Sequence, residues 1–224
     1  HMDRIFVVSD EVKKHFIESY PQYQSKVYVF HNRIDRNEIR KRAAESGGFT
    51  DSYEGIRLLT VGRLTYQKGY DIAIDAMELL KEAGCTVKWY VLGEGDEHEK
   101  LEREIIQHGL QEDFILLGAV ENPYPYYAQA DIYVHATRFE GKSIAIQEAQ
   151  ILGCPVIASD CNGNREQIKN GIDGILCSLT PEAIADSIKE LISDPKKREE
   201  YAKRAQNRNA QAKDELDMLL NMTK

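Results

Sequence analysis

The sequence predicts an α/β protein built on one parallel β-sheet with helices on both faces. Three observations support this prediction. Short apolar segments alternate with helix-like segments from about residue 57 to residue 193. Nearly every residue of the apolar segments is hydrophobic, as in strands that are buried on both faces of a sheet. Several helix-like segments end at a glycine or begin beside a proline, the residues that typically stop and start helices.

The first part of the chain predicts a strand, a helix and a second strand. Residues 5–8 and 27–30 are apolar, and Ser9 is a candidate N-cap for a helix that ends at Pro21. Residues 36–46 are helix-like, and the glycine-rich segment 47–52 predicts a linker. The start on an apolar strand, after the cloning-like pair His1-Met2, is interpreted as the start of a fragment of a longer protein.

The main region predicts six strands, and helices lie between most of them. The strands are expected at 57–61, 86–92, 114–117, 131–135, 155–159 and 174–177. Apolar residues at helical spacing predict helices around 72–83, 101–108, 143–152 and 184–191, with a short helix after Pro123. A last, very polar helix is expected from Asp194-Pro195, with apolar Leu216, Leu219 and Leu220 near its end. Since parallel sheets bind ligands at the carboxyl ends of their strands, the residues after each strand are the first candidates for function.

Composition restricts the class of protein. The chain has 224 residues, 42% hydrophobic, which is enough for a buried core without metals or disulfides. Its net charge of -8 argues against binding to nucleic acid or to an anionic membrane surface. The four cysteines form no CxxC pair, and free thiols fit a cytoplasmic location. No apolar run reaches transmembrane length.

The loop after the first strand of the main region carries candidate phosphate ligands. Gly62 allows a close approach of a ligand to the backbone, and Arg63 offers a planar fork to a phosphate. Lys68 adds a positive charge just before the next helix, whose N-terminus also favours anions. The alternative is an ordinary strand-to-helix loop with solvated cations.

Two carboxylates separated by seven residues are the most informative motif. Glu140 lies in a turn after an apolar strand, and Glu148 lies inside the following helix. An ionised carboxylate accepts hydrogen bonds from two neighbouring hydroxyls, which suits recognition of sugars. Ser143 is a candidate N-cap, and the amides from Gly141 through Lys142 to Ile144 are expected to face an anion. The helix around Glu148 is apolar nearly all round, which favours a site over a solvated face.

Other candidates leave two interpretations open. His135 ends a strand at the functional edge, and either a site role or a hydrogen-bonded core position fits it. The turn Gly93-Glu94-Gly95 is too short for the dinucleotide motif and is interpreted first as a tight turn. His31 and Asn32 favour a turn role. The short helix opened by Asn162 either contacts a ligand or forms a capped turn, and the tyrosines near Pro123 favour packing over base stacking.

Together these motifs resemble the C-terminal half of a retaining glycosyltransferase of family 4, also called group 1, which has the two-domain GT-B architecture. The resemblance spans about residues 57–193. Its carriers are Gly62-Arg63 with Lys68-Gly69, Gly93-Glu94-Gly95, Leu117-Gly118, Ala130-Asp131, the spacing of Glu140 and Glu148, the strand entry at 153–158 and the turn at 170–174. Residues 27–35 also resemble the family's N-x-I-D hinge.

The resemblance implies a Rossmann-like domain and a division of the chain into three parts. Residues 1–48 would be a remnant of the N-terminal domain and hinge, residues 54–194 the nucleotide-sugar-binding domain, and residues 195–224 a C-terminal crossover helix. The missing N-terminal domain would be the main partner. The fragment alone is expected to bind donor without turnover, and the full-length enzyme would associate peripherally with a membrane.

The resemblance also implies roles for single residues. Arg63 and Lys68 would bind the donor diphosphate, and Glu140 would contact the donor sugar, so these three are the expected catalytic residues. Glu148 would bind the ribose. Leu117 and Gly118 would meet the base through backbone groups. No metal or other cofactor is expected, because cationic side chains and helix dipoles stabilise the leaving diphosphate.

The implied reaction moves a hexose from a nucleoside diphosphate to a glycan or a lipid-linked acceptor, with retention at the anomeric carbon. Gly141-Lys142-Ser143 departs from the Gly-Phe-Gly of many members and resembles bacterial enzymes that build surface polysaccharides. Two alternatives remain: a nucleotide-sugar epimerase with the same fold, and a non-catalytic binding module.

Overall fold

The structure is a computed structural model and describes residues 4–30 and 34–210. A small two-stranded parallel sheet is formed by β1 (Ile5–Val7) and β2 (Val27–Val29). Helix α1 (Asp10–Ser19) and a 3₁₀ helix (Pro21–Lys26) connect them. The Val12 amide donates to Ser9 Oγ at 3.2 Å, so Ser9 caps α1 as the sequence predicts. His31 and Asn32 lie outside the described residues.

The main sheet has six parallel strands, as the sequence predicts. They are β3 (Ile56–Val61), β4 (Val87–Leu92), β5 (Phe114–Leu116), β6 (Ile132–His135), β7 (Val156–Ser159) and β8 (Ile175–Cys177). Their spatial order is β5-β4-β3-β6-β7-β8. From β3 the chain builds the sheet first in one direction through β4 and β5, and then returns to the other side of β3 with β6. A topological switch point therefore lies between β3 and β6.

Helices surround this sheet close to the predicted positions. They are α2 (Arg36–Ala43), α3 (Tyr70–Glu82), α4 (His98–Gln107), α5 (Tyr124–Gln129), α6 (Ile144–Leu152), α7 (Asn162–Arg165), α8 (Pro181–Ser193) and α9 (Pro195–Ala210). A 3₁₀ helix, Tyr66–Lys68, precedes α3 and is absent from the sequence-based prediction. The reason is that its only local signals are Thr65 before it and Gly69 after it.

Both faces of the sheet are buried, which explains the nearly all-apolar strands. Leu58 and Trp89 belong to one core cluster, with α3 and α8. Leu59 and Tyr90, the next residue of each strand, belong to a second cluster, with α5 and α6. Since side chains alternate across a strand, each strand needs two consecutive apolar residues to fill both cores.

The predicted linker is packed against the sheet through specific contacts. Gln129 donates to the Gly47 carbonyl at 3.0 Å and accepts from the Phe49 amide at 3.1 Å. Asp51 binds the Arg57 guanidinium at 2.8 Å. These partners lie outside the segment, so its glycine-rich composition alone could not indicate that it is held in place.

Helix α2 also packs on the main body. Ile39 is buried, and the Arg42 guanidinium donates to the Glu121 carbonyl at 3.0 Å. Asn122 donates to the Arg42 carbonyl at 2.9 Å. The segment that the sequence interpretation assigns to the first part of the chain therefore contacts the helices that cover the main sheet.

The last described helix, α9, returns across α6 and α8. Tyr201 and Ala205 are buried, and Gln206 donates to the Ile151 carbonyl at 3.4 Å. Leu216, Leu219 and Leu220 lie outside the described residues. Within residues 4–30 and 34–210, no helix is both long and apolar enough to cross a membrane.

Candidate functional site

The switch point brings the loops after β3 and β6 together at the carboxyl edge of the sheet. The first loop, 62–69, contains three of the predicted site residues. The second, 136–143, contains Glu140 and ends at Ser143, just before α6. Because β3 and β6 are neighbours in the sheet, these loops leave it side by side.

Hydrogen bonds fasten the two loops to each other. The amide of Arg138 donates to the Gln67 carbonyl at 2.8 Å, and Thr137 Oγ1 donates to the same oxygen at 2.9 Å. Gln67 Nε2 in turn donates to the Phe139 carbonyl at 2.9 Å. The guanidinium of Arg138 makes two parallel bonds to Asp71, at 2.9 and 2.6 Å. Lys68 and Glu140 are therefore held at a fixed separation by their neighbours.

Gly69 makes the close approach of the loops possible. Its φ is +61°, in the left-handed region that favours glycine. A Cβ at this position would also overlap the carbonyl oxygen of Ala136. Both constraints exclude a larger residue between Lys68 and α3.

A chain of polar side chains runs from β6 into the space between the loops. Lys68 Nζ donates to Glu140 Oε2 at 2.5 Å. His135 Nε2 lies 3.2 Å from the same oxygen. On the other side of the ring, His135 Nδ1 lies 3.1 Å from the hydroxyl of Tyr133. The structure thus joins two predicted site residues, Lys68 and Glu140, directly, and adds His135 to them.

These contacts determine the charge state of the carboxylate and the imidazole. Burial opposes ionisation of Glu140, but hydrogen bonds from His135 and Lys68 outweigh it and lower its pKa from 4.5 to about 2. Burial also lowers the pKa of His135, against the effect of Glu140. Glu140 is therefore ionised at neutral pH, and His135 is a neutral imidazole.

The second loop leads into the N-terminus of α6. The Ile146 amide donates to Ser143 Oγ at 3.4 Å, so Ser143 is the N-cap, as predicted. Gly141 and Lys142 precede it and are half-buried, whereas Ile144 is exposed. A Cβ on Gly163 of α7 would overlap the carbonyl oxygens of Glu140 and Gly141. The loop therefore rests directly on the backbone of α7.

Glu148 is half-buried on α6 and contacts tyrosines of α5. Tyr127 donates to Glu148 Oε2 at 3.2 Å. Burial raises the pKa of Glu148, and hydrogen bonds from Tyr127 and Tyr124 partly offset this effect. The interpretation as a solvated helix residue does not fit this environment, and Tyr124 and Tyr127 pack as the sequence favours.

A cavity of about 350 Å³ opens beside the first loop. Gly62 and Arg63 line it, and the side chain of Arg63 is exposed. The other lining residues lie at the end of β3, at the end of β4 and between β5 and α5: Val61, Leu92, Gly93, Glu94, Ala119, Val120 and Pro123. Leu117 and Gly118 adjoin this cavity, since the Gly93 amide donates to the Gly118 carbonyl at 2.9 Å.

The turn Gly93-Glu94-Gly95 is a tight backbone contact and also part of the cavity wall. A Cβ on Gly93 would overlap the carbonyl oxygen of Gly62, and one on Gly95 would overlap that of Leu64. The Leu64 amide donates to the Glu94 carbonyl at 2.9 Å. The glycines are needed because two loops pack backbone to backbone here.

Five of the predicted residues therefore fall into three groups. Lys68 and Glu140 are in contact, Gly62 and Arg63 lie at the cavity, and Glu148 lies among the tyrosines of α5. Sequence reasoning missed Tyr133 and Arg138. Tyr133 had a signal, because it lies two residues before His135 and so shares its face of the strand. Among the described residues, no cluster of three or more His, Cys, Asp or Glu side chains could hold a metal ion.

Comparison with known proteins identifies the family. The sequence model described as "Glycosyl transferases group 1" matches residues 50–208. The chain belongs to this family. The match covers every element of the main sheet and the switch-point loops, so the paired loops with Lys68 and Glu140 are part of the family domain.

One curated relative is the Campylobacter jejuni N-acetylgalactosamine-N,N'-diacetylbacillosaminyl-diphospho-undecaprenol 4-alpha-N-acetylgalactosaminyltransferase. It is 29% identical over 194 residues, which are 86% of this chain and 51% of the relative. An uncharacterised glycosyltransferase of Methanocaldococcus jannaschii is 31% identical over 85% of this chain and 51% of its own length. The chain thus spans about half the length of these relatives.

Solved structures agree on the fold. Anabaena HepE in complex with UDP and glucose superimposes with a TM-score of 0.83 at 22% identity, covering 99% of this chain and 62% of HepE. The C-terminal domain of a group 1 glycosyl transferase from Francisella tularensis has a TM-score of 0.61 at 28% identity, covering 68% of this chain and 83% of that domain. The main domain is the C-terminal half of a GT-B fold.

Proposed function

We propose that this chain binds the nucleotide-sugar donor of a retaining glycosyltransferase. The enzyme would move a hexose from a nucleoside diphosphate to a glycan or lipid-linked acceptor in bacterial polysaccharide synthesis. The observation that carries the proposal is the ion pair of Lys68 and Glu140 at the switch point of the sheet, between a cavity and the N-terminus of α6. HepE, with the same fold, is described in complex with UDP and glucose.

Each part of the site supplies one kind of recognition. Arg63 binds the diphosphate with its planar guanidinium and Lys68 with its compact ammonium charge, and the amides at the start of α6 add a partial positive charge. Glu140, ionised at neutral pH, accepts hydrogen bonds from sugar hydroxyls. Glu148 accepts from the ribose, and the backbone near Leu117 and Gly118 meets the base.

The chemistry proposed for these groups requires no metal ion. As the bond between sugar and phosphate breaks, negative charge grows on the leaving diphosphate, and Arg63 and Lys68 stabilise it electrostatically. The leaving phosphate would then take the proton of the attacking acceptor hydroxyl on the same face of the sugar. Attack on that face retains the anomeric configuration.

The whole enzyme would contain an N-terminal domain that supplies the acceptor site, since the curated relatives are about twice as long as the match. Its location would be cytoplasmic, which fits four free cysteines. Peripheral membrane association of the full-length enzyme is proposed because one relative acts, by its name, on an undecaprenol-linked acceptor.

Calorimetry of nucleotide binding tests the proposal. Wild-type protein is titrated with UDP, GDP and ADP, and with sugars of each. Arg63→Ala and Lys68→Ala are each expected to weaken diphosphate binding by about 1.5–3 kcal/mol, the value of hydrogen bonds to charged groups. Lys196→Ala, an exposed cation on α9, is the matched control and should bind as wild type does. Unchanged affinity in both site variants would remove them from the diphosphate site.

A second comparison distinguishes the roles of Glu140 and Glu148 in ligand binding. Glu148→Ala should weaken binding of a free nucleoside diphosphate, because the ribose is present in every ligand. Glu140→Ala should matter only when the sugar is attached. Equal losses of both variants for the sugar-free ligand would contradict this division of roles.

A further inference from the structure

His135 is a buried polar residue at the end of an apolar strand. The residue is 1% exposed, and the other residues of β6 are buried as well. An imidazole buried without hydrogen-bond partners would destabilise the fold, because its polar atoms would lose their bonds to water. Here both ring nitrogens have a partner, since Nδ1 lies 3.1 Å from the Tyr133 hydroxyl and Nε2 lies 3.2 Å from Glu140 Oε2.

The ionised carboxylate fixes the direction of these hydrogen bonds. Glu140 can only accept, so His135 Nε2 must carry the proton. A neutral imidazole then has an unprotonated Nδ1, which accepts from the Tyr133 hydroxyl. That hydroxyl has one proton, which it shares in a three-centre bond with the Val61 carbonyl, 3.3 Å away at the end of β3. The proton arrangement thus runs from Tyr133 through His135 to Glu140.

Lys68 and His135 hold the same oxygen of Glu140 in different ways. The ammonium group of Lys68 ends a flexible four-carbon stem and approaches from the first loop. The imidazole is rigid and packed within the strand. Oε2 is therefore held from two sides, which restricts rotation of the carboxylate. The neutral ring does this without adding charge, so the net charge of the Lys68–Glu140 ion pair stays zero.

We propose that His135 is a positioning residue for donor-sugar recognition. Anchored by Tyr133, it holds the Glu140 carboxylate in the orientation that receives hydroxyl groups of the sugar. The inference rests on the proposed function, and it makes the sugar-dependent part of binding depend on a side chain that does not itself touch the ligand.

The test measures binding of a diphosphate and of its sugar by the wild type and three variants. The probe pairs are UDP with UDP-glucose, UDP with UDP-N-acetylglucosamine, and GDP with GDP-mannose. His135→Leu should reduce the gain in affinity that the sugar provides by about tenfold, since one hydrogen bond to a charged group is lost. Its affinity for the free diphosphate should change less than twofold. Tyr133→Phe should reduce the sugar gain by about twofold to threefold.

A rescue variant distinguishes the loss of Glu140 positioning from a general folding defect. His135→Gln keeps an N–H donor and should recover at least half of the sugar gain, whereas a purely structural defect would weaken both ligands together. A sugar gain in His135→Leu equal to that of wild type overturns the inference, and so does equal loss for both ligands. Wild type that binds none of the pairs overturns the proposed function itself.

Nitrogen-15 NMR of the wild-type imidazole covers the case in which a variant fails to fold. At pH 7 the spectrum should show neutral His135 with the proton on Nε2, and Glu140→Gln should shift that signal. Either a proton on Nδ1 alone or a doubly protonated ring at pH 7 would overturn the proposed hydrogen-bond direction.

Discussion

Replacing Glu140 by Gln should reduce the acid sensitivity of this fold. In the folded chain the pKa of Glu140 is about 2, against 4.5 when it is unperturbed. A carboxyl group with a lowered pKa stabilises the folded state above its unfolded pKa. That stabilisation is lost as the pH falls from the unfolded value to the folded one.

The magnitude follows from the difference between the two pKa values. At about 1.4 kcal/mol for each pKa unit, Glu140 contributes about 3 kcal/mol at pH 6. Linkage predicts that about 2 kcal/mol of this is lost by pH 3. The side chain is 14% exposed, so solvent screening reduces the value only modestly. Gln cannot titrate. Its side-chain oxygen can still accept a hydrogen bond from Lys68, and its NH2 group can donate to neighbouring acceptors.

Urea unfolding of both proteins at pH 6, 5, 4 and 3 measures the effect. Each free energy of unfolding falls with pH because other carboxyls titrate, but the difference between wild type and Glu140→Gln isolates position 140. We expect wild type to lose about 2 kcal/mol more than the variant between pH 6 and pH 3. Parallel curves, with a constant difference across this range, would show that Glu140 is not held by Lys68 and His135 and would refute the assigned contacts.

Three further predictions concern the surroundings of Glu140 and Glu148. Gly163→Ala should cost about 1–3 kcal/mol of folding free energy and weaken nucleotide-sugar binding, because the added Cβ overlaps the backbone of the Glu140 loop. The control is Gly84→Ala, at φ +74° in open space, which should destabilise the fold by about 1 kcal/mol and leave binding unchanged. Tyr127→Phe should raise the pKa of Glu148 further, so calorimetry between pH 7 and pH 4.5 should show nucleotide affinity falling at a higher pH than in wild type. Arg138→Lys should lose one of two bonds to Asp71, costing about 1 kcal/mol in chemical unfolding and speeding amide exchange in residues 136–140.

Much of the main domain could be predicted because its signals are local. Continuous apolar runs indicate the six strands. Gly84 and Gly109 mark where helices end, and Pro181 marks where one begins. The seven-residue separation of Glu140 and Glu148 places one in a loop and the other on a helix without further information. What the sequence does not contain locally is the strand order, which puts β6 beside β3 and so decides that Lys68 meets Glu140.

The unpredicted parts depend on partners distant in sequence. Arg138 and Asp71 are 67 residues apart, and neither has a pattern that indicates the other. His135 stayed open between a core and a site role because the choice depends on Glu140 and Tyr133 together. The segment 47–52 has the composition of a linker, yet Gln129 of α5 and Arg57 of β3 hold it in place.

Close backbone contacts explain why several glycines of this edge belong to the site although they carry no chemistry. Gly69 faces the Ala136 carbonyl, Gly93 that of Gly62, and Gly163 those of the Glu140 loop. In each case a Cβ would push apart two loops that leave different strands. Hydrogen bonds need donor and acceptor within about 3 Å, so a separation of the loops would weaken them, first of all at the rigid His135 ring. The orientation of the Lys68–Glu140–His135 group therefore depends on backbone packing, and its geometry is set by the sheet before any ligand arrives.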